Sequence, residues 1–151
     1  MDTKILERKI TEVVREEGFK RKGQSWYVES QETVCVLNLQ KYGGWHFINL
    51  GVLVKHLDDI PFPKEYQCHL RIRLCRLFPT EEEFHKYLNF EDEAIPADHK
   101  VERICDAIKY RGLPTLLSCT SLQGIKDLLQ GERRWKFAVN YKLQELLNTT
   151  E

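Results

Sequence analysis

The pair Gly43-Gly44 constrains the fold of this chain more than any other feature, because glycine accepts the positive φ that a two-residue hairpin turn requires. The flanking segments then pair antiparallel, with Tyr42 opposite Trp45, and the same register puts Asn38 opposite Asn49. One face of this hairpin is apolar: Cys35, Leu37, Leu39, Ile48, Leu50 and Val52. A slip of one residue would move all six side chains into water, so the register is strongly specified.

Two further strands extend this hairpin. Residues 25–30 alternate in the same sense, and a two-residue loop at Gln31-Glu32 would put Trp26 and Val28 on the apolar face. Residues 68–77 alternate aliphatic and polar side chains, which predicts a fourth strand. Helical patterns precede and follow these strands. We therefore predict an α+β fold, with an antiparallel meander of at least four strands, an N-terminal helix and a C-terminal set of helices packed on one face.

The helices are predicted from apolar spacing and from their end signals. Residues 3–17 carry an apolar stripe, and Gly18 is placed to end that helix. A short helix is predicted over residues 81–88, begun by a capping box. Another helix is predicted to be capped by Asp98 and to run to about Arg111, with Gly112 closing it.

Composition indicates one domain with no net charge. The chain has 151 residues, of which 42% are hydrophobic, and no apolar run approaches the ~20 residues of a membrane span. Lys plus Arg and Asp plus Glu each number 23, so electrostatic recognition must be local. Five cysteines without a CxxC pair predict buried, reduced thiols. We expect a single globular domain over residues 1–151, soluble and cytoplasmic, with no cofactor and no membrane partner.

The polar face of the predicted sheet is the candidate recognition site. Arginines two apart on one strand lie about 6.5 to 7 Å from each other, a spacing that suits a carboxylate, a phosphate or an acidic partner. The candidate binding residues are Asn38, Gln40, Asn49, His69, Arg71, Arg73, Tyr27 and Phe47. An alternative stays open, in which the C-terminal helices cover this face and the arginines pair with the acids at residues 91–93.

Patterns for catalysis and metal binding are weak, and we predict no catalytic and no metal residues. Cys68 and His69 are adjacent, but on a strand they point to opposite faces and cannot form a nucleophile and base pair. Glu81 and His85 have the spacing of two metal ligands on a helix, yet without a second histidine a solvated pair is favoured. The basic run at residues 20–22 could follow a nucleic-acid backbone, although a solvated strand entry is favoured.

Four ordered blocks resemble the domain of unknown function 4304 family. The blocks are GFKRKG at 18–23, NLQK at 38–41, FINLGV at 47–52 and CHLRIRL at 68–74. The resemblance covers roughly residues 1–90 and fades beyond Leu77, where the chain lacks the tryptophan-containing segment that the resemblance implies. The family name implies no activity, but its blocks coincide with the candidate recognition face.

Three classes of function fit these observations. Small single domains of this kind often serve as dedicated binders, and this analogy favours a non-enzymatic binding protein with a protein partner, such as an immunity-type protein that neutralises a toxin. A second class is a small enzyme or ligand-binding domain that holds an anionic substrate through Arg71 and Arg73. A third is a nucleic-acid binder, and nucleic acid is the least favoured partner.

Overall fold

The computed structural model describes residues 3–132 and 134–149. Its sheet is a six-stranded antiparallel meander, in which every strand pairs with the next one along the chain. The strands are β1 (Lys20–Lys22), β2 (Ser25–Glu29), β3 (Thr33–Tyr42), β4 (Trp45–Val54), β5 (Leu70–Arg73) and β6 (Ala138–Val139). The predicted α+β meander is confirmed, and β1 and β6 extend it at both edges.

Six α-helices and several tighter turns surround the sheet. The helices are α1 (Thr3–Arg15), α2 (Glu81–His85), α3 (Ala97–Ala107), α4 (Leu113–Leu117), α5 (Leu122–Leu129) and α6 (Tyr141–Thr149). A π-helical turn at Ile108–Gly112 joins α3 to α4, and 3-10 turns occur at Glu65–Gln67, Leu74–Leu77 and Arg134–Lys136. Across the described residues, none of these helices has the length and apolar character needed to cross a membrane.

The central hairpin has the predicted register at every pair. Tyr42 lies opposite Trp45, and the pairing continues through Cys35 opposite Val52. Gly43 has a φ of 59°, the left-handed value that made glycine the expected residue at this turn. Strand β2 also pairs with β3 in the predicted register. The apolar alternation therefore determined both the pairing and the face that enters the core.

The inner face of the sheet packs against the helices. Its buried side chains are Trp26, Cys35, Leu37, Leu39, Ile48, Leu50, Val52, Leu70 and Ile72. They meet Leu6 and Ile10 of α1, Ile104 of α3 and Leu116 of α4 in one hydrophobic cluster. Burying each such side chain contributes about 1.5 to 3 kcal/mol. This burial places the helices on one side of the sheet and leaves the other side for different contacts.

The fourth predicted strand is shorter than expected. Strand β5 ends at Arg73, and the next four residues form a 3-10 turn instead of continuing to Leu77. The reason is competition for the edge of β4. The segment after α2 occupies that edge, because Leu88 accepts a hydrogen bond from the His46 amide at 2.9 Å and Asn89 bridges to Trp45.

Two predicted helix ends are wrong. Gly112 does not close α3, because its φ is −68° and the chain passes through it into α4. A Cβ at Gly112 would lie 3.1 Å from Leu74 Cδ1, so the glycine allows the π-helical turn to approach the core. The Thr80 side chain precedes α2 but makes no capping hydrogen bond, and α2 ends at His85.

Candidate functional site

The outer face of the sheet divides into two halves, one covered and one open. The covered half lies under the segment between β4 and β5. A small apolar cluster forms there from Tyr27, Val34, Val36, Leu53 and Cys68, with Ile60 packed against it. Gly51 allows Cys68 to pack closely against β4, since a Cβ at position 51 would lie 2.8 Å from Cys68 Sγ. This half of the outer face is therefore structural.

The open half forms a groove of about 790 Å³, which we call the outer groove. Its floor consists of the outer-face residues Ser25, Asn38, Gln40, Asn49, Arg71 and Arg73. Its walls consist of residues 64–66 before β5, Arg76 after β5, and residues 135–138 leading into β6. Five of the eight predicted binding residues thus lie in one concave site.

The amides of the floor hold one another in place. Asn38 Nδ2 donates to Ser25 Oγ at 3.0 Å. Asn49 Nδ2 donates to Asn38 Oδ1 at 3.2 Å and to Gln40 Oε1 at 2.9 Å. The contact predicted between Asn38 and Asn49 is confirmed. These bonds position the polar floor before any partner arrives, which lowers the ordering cost of binding.

The two arginines of β5 have different environments. Arg71 donates from Nε and Nη2 to the two carboxylate oxygens of Glu65, at 2.8 and 3.0 Å. This bidentate contact raises the pKa of Arg71 above its ordinary value. Arg73 instead lies over the ring of Phe47, with Cζ 4.2 Å from the centroid, and Nη2 is 3.5 Å from Gln40 Oε1. Arg71 is therefore paired with Glu65 of the wall, whereas Arg73 has no carboxylate partner among the described residues.

The expected alternative of pairing with residues 91–93 is not what the structure shows, because Glu65 is the partner of Arg71. The helices also pack on the inner face and leave this part of the outer face open.

The walls add positively charged side chains, two of which donate hydrogen bonds to backbone carbonyls. Arg76 Nε donates to Lys136 O at 3.0 Å, and Lys136 Nζ donates to Phe78 O at 3.2 Å. The charged side chains of the described lining are the five cations Lys64, Arg71, Arg73, Arg76 and Lys136 and one carboxylate, Glu65. Since the whole chain has equal numbers of acidic and basic residues, this excess is local. Such a groove suits an anion and offers little to a metal ion.

His69, although expected on the recognition face, is 1% exposed and does not line the groove. Its Nδ1 accepts a hydrogen bond from the Val54 amide at 2.9 Å, so Nε2 is the protonated nitrogen and donates to Asp58 Oδ2 at 2.6 Å. Lys142 of α6 reaches the same carboxylate at 3.1 Å. His69 thus ties the loop after β4 to the sheet and to the last helix.

The two aromatic candidates lie on the outer face but outside the groove. Tyr27 is buried in the covered half and donates its hydroxyl to Pro63 O at 3.1 Å. Phe47 carries the Arg73 guanidinium on one side and stacks on Trp45, with ring centroids 5.9 Å apart. Neither lines the groove, but Phe47 positions a residue that does.

The wall residues were missed by the sequence reasoning. Arg76 fell inside the predicted fourth strand, and Lys136 fell inside the last of the predicted C-terminal helices, where the structure has a 3-10 turn. Lys64 belongs to a segment without a periodic pattern. Tyr66 and Trp135, also in the walls, are 69% and 70% exposed. The sequence signal available for these residues was a tryptophan between two cations, at Arg134, Trp135 and Lys136.

The basic run at residues 20–22 forms β1, at the edge of the sheet. Arg21 pairs with Glu7 at 3.0 Å, and Lys22 lies 4.2 Å from the ring centroid of Phe62. Two of its three cations are thus engaged within the protein, and nucleic-acid binding stays a prediction that these contacts do not favour.

Residues 10–117 match the family model described as a domain of unknown function, DUF4304. The chain belongs to the DUF4304 family. The family match extends past the blocks recognised in the sequence and includes the whole floor of the groove, whereas Trp135 and Lys136 lie beyond it. No curated protein and no solved structure matches the chain.

Proposed function

We propose that this protein is a non-enzymatic binding protein whose outer groove receives an acidic surface segment of a protein partner. The observation that carries the proposal is the charge of the groove, with five cationic side chains and one carboxylate in its described lining. Glu65 satisfies Arg71, but Lys64, Arg73, Arg76 and Lys136 have no carboxylate partner among residues 3–132 and 134–149. Carboxylates of a protein partner could form ion pairs with these four cations.

The guanidinium and amide groups of the floor favour binding over catalysis. Guanidinium groups remain protonated at neutral pH and amides do not titrate, so neither serves as a base or as a nucleophile. Glu65 is the one carboxylate, and both of its oxygens accept hydrogen bonds from Arg71. The groove can hold and orient an anion with these groups.

The exposed aromatic residues favour a protein over a smaller ligand. Tyr66 and Trp135 project from the walls beside the cations. Tyrosine, tryptophan and arginine are the residue types that most often dominate the energetics of protein interfaces. Neutralisation of a toxin by an immunity-type protein is a specific form of this proposal, supported by analogy with other small binding domains.

A small anionic ligand is the second candidate. The volume of the groove, about 790 Å³, falls within the range of about 300 to 1,000 Å³ that is typical of ligand sites. A phosphate or carboxylate group on such a ligand would use the same cations, with the amides of the floor orienting the rest of the molecule.

Calorimetric titration of a polyglutamate peptide and of inorganic phosphate separates these candidates. We expect the peptide to bind, and the double variant Arg73→Glu, Lys136→Glu to bind it at least about tenfold more weakly, because two charge-assisted contacts are reversed. The double variant Lys20→Glu, Lys109→Glu makes the same charge change at exposed sites outside the groove and should bind as the parent does. Tight phosphate binding with weak peptide binding would favour the second candidate. Equal binding by both variants would refute the groove as the site.

A cytoplasmic location is a further part of the proposal. Four of the five cysteines are buried, Cys105 is half-buried, and all five are free. Free thiols are typical of a reducing compartment. Thiol labelling of protein isolated without reductant and then denatured should find five reactive cysteines, and recovery of three would contradict this location.

A further inference from the structure

A second cluster of reactive side chains lies where the sheet passes into α2. It consists of Cys75 in the 3-10 turn after β5, and of Glu81 and His85 on α2, and we call it the Cys75 cluster. One ligand atom from each of the three residues lies within 4.8 Å of the other two. Glu81 Oε1 is 3.8 Å from Cys75 Sγ and 3.9 Å from His85 Nε2. None of these residues lines the outer groove.

The early end of β5 creates this cluster. On a strand continuing to Leu77, Cys75 would have shared the outer face with Arg71 and Arg73, away from α2. The 3-10 turn instead buries the thiol beside the helix, where Glu81 and His85 already share a face at i and i+4. The sequence pattern gave Glu81 and His85 no third ligand. In the fold, Cys75 of the 3-10 turn after β5 lies beside them and could serve as that ligand.

The separations are close to those of a tetrahedral metal site. Bonds of about 2.0 Å to nitrogen and oxygen and about 2.3 Å to sulfur put ligand atoms about 3.3 to 3.5 Å apart. The carboxylate-to-thiol separation of 3.8 Å and the carboxylate-to-imidazole separation of 3.9 Å exceed these values by about 0.3 and 0.6 Å. The thiol-to-imidazole separation lies within 4.8 Å. Glu81 and His85 are both partly exposed, so rotation of their side chains can shorten these separations to those of a metal site. The same exposure gives a metal ion a path from solvent to the site.

The electrostatics of the cluster also suit a cation. Within the described part of the chain, the Glu81 carboxylate has the thiol and the imidazole as its polar contacts. The Cys75 thiol donates toward Glu81 Oε1 across 3.8 Å. A metal ion would replace that proton, which leaves for solvent, and would neutralise the thiolate and the carboxylate together.

We propose that Cys75, Glu81 and His85 form a binding site for a divalent transition metal, with Zn²⁺ as the ion that best fits one thiolate, one imidazole and one carboxylate. Three protein ligands leave the fourth tetrahedral position to water or to a ligand atom from outside the chain. The ion would fasten α2 to the end of β5. It would thereby stiffen the segment that carries Arg73 and Arg76 of the outer groove.

Titration with Co²⁺, a spectroscopic substitute for Zn²⁺, tests this site after the protein has been treated with a chelator. We expect one equivalent of Co²⁺ to give a thiolate-to-cobalt charge-transfer band and intense tetrahedral bands in the visible region, and Zn²⁺ to remove them. Cys75→Ala should abolish the charge-transfer band. Glu81→Gln and His85→Gln should weaken Co²⁺ binding by at least about tenfold, since each removes a ligand.

The matched controls are Cys105→Ser and His99→Gln, which remove a half-buried thiol and an exposed imidazole elsewhere on the chain. Both should bind Co²⁺ as the parent does. Because Cys75 is buried, circular dichroism and thermal melting should establish that each variant is folded. Zn²⁺ should raise the melting temperature of the parent protein and of both controls, but have little effect on His85→Gln.

Three results would overturn the proposal. The first is the lack of a charge-transfer band in the parent protein. The second is unchanged Co²⁺ binding by folded Glu81→Gln and His85→Gln. The third is equal loss of binding in Cys105→Ser, which would assign the metal to a different thiol.

Discussion

The two faces of the sheet are covered by different means, although the same strands form both. The inner face is apolar along its whole length and is covered by helices from both ends of the chain. The outer face changes from the apolar patch under the β4–β5 loop to the charged outer groove. The alternation within a strand therefore determines which side chains share a face. The segments that lie outside the strands determine whether that face is buried or open to solvent.

The largest difference between the faces should be in stability. Leu50→Ala on the inner face should lower the free energy of unfolding by about 2 to 5 kcal/mol, the usual cost of emptying a leucine site in a core. Gln40→Ala on the outer face should change it by about 1 kcal/mol or less, since Gln40 is exposed and Asn49 keeps its hydrogen bond to Asn38. Urea unfolding of both variants measures this contrast. An unchanged midpoint for Leu50→Ala would remove Leu50 from the core.

Gly51→Ala tests the covered half of the outer face. The added Cβ would meet Cys68 Sγ at 2.8 Å and Cys68 Cβ at 3.0 Å, so we expect a loss of about 1 to 3 kcal/mol from overpacking. Adding Cys68→Ala should restore part of this loss, because the sulfur is removed.

Gly44→Ala is the control for that substitution. Its Cβ would meet the exposed side chain of Glu91, which can move away, so it should cost less than Gly51→Ala. Equal losses at the two glycines, with no rescue by Cys68→Ala, would mean that the loop does not pack closely on Gly51.

The two arginines of the floor should respond differently to substitution. Arg71→Ala should destabilise the protein by about 1 to 2 kcal/mol, because the mostly buried carboxylate of Glu65 loses both hydrogen bonds. Arg73→Ala should cost less than about 1 kcal/mol, yet weaken binding of the polyglutamate peptide. Unfolding and peptide binding measured on both variants would test this division. A larger stability loss for Arg73→Ala would make Arg73 a structural residue.

The smallest expected effect is a pH dependence at the edge of the covered half. The hydrogen bond from His69, followed by that from Lys142, lowers the pKa of Asp58 below its ordinary value. Because the pKa is lower in the folded state, this stabilisation is fully present above about pH 4 and is lost as the pH falls through the folded pKa. The stability advantage of the parent over Asp58→Asn should therefore shrink below about pH 4. Parallel stability profiles across this range would contradict the assignment.

Much of the sheet could be predicted from the sequence because a strand has a period of two and a hairpin has one turn to set its register. With the turn at Gly43, only one register of β3 against β4 keeps the alternating aliphatic side chains of both strands out of water. The neighbouring contact between Asn38 and Asn49 followed directly from that register. The positions of Gln40, Arg71 and Arg73 on the same face followed from the same alternation.

The sequence by itself determined the register of β2, β3 and β4 and the face that the floor residues of the groove share, since each depends on residues that are neighbours along a strand or across one hairpin. The tertiary structure decided where β5 stops, because the segment after α2 competes for the edge of β4. It also decided that Arg71 pairs with Glu65, that His69 is buried, and that Cys75 lies beside Glu81 and His85. These contacts depend on the packing of separate elements in three dimensions, and no periodicity within one element encodes that packing.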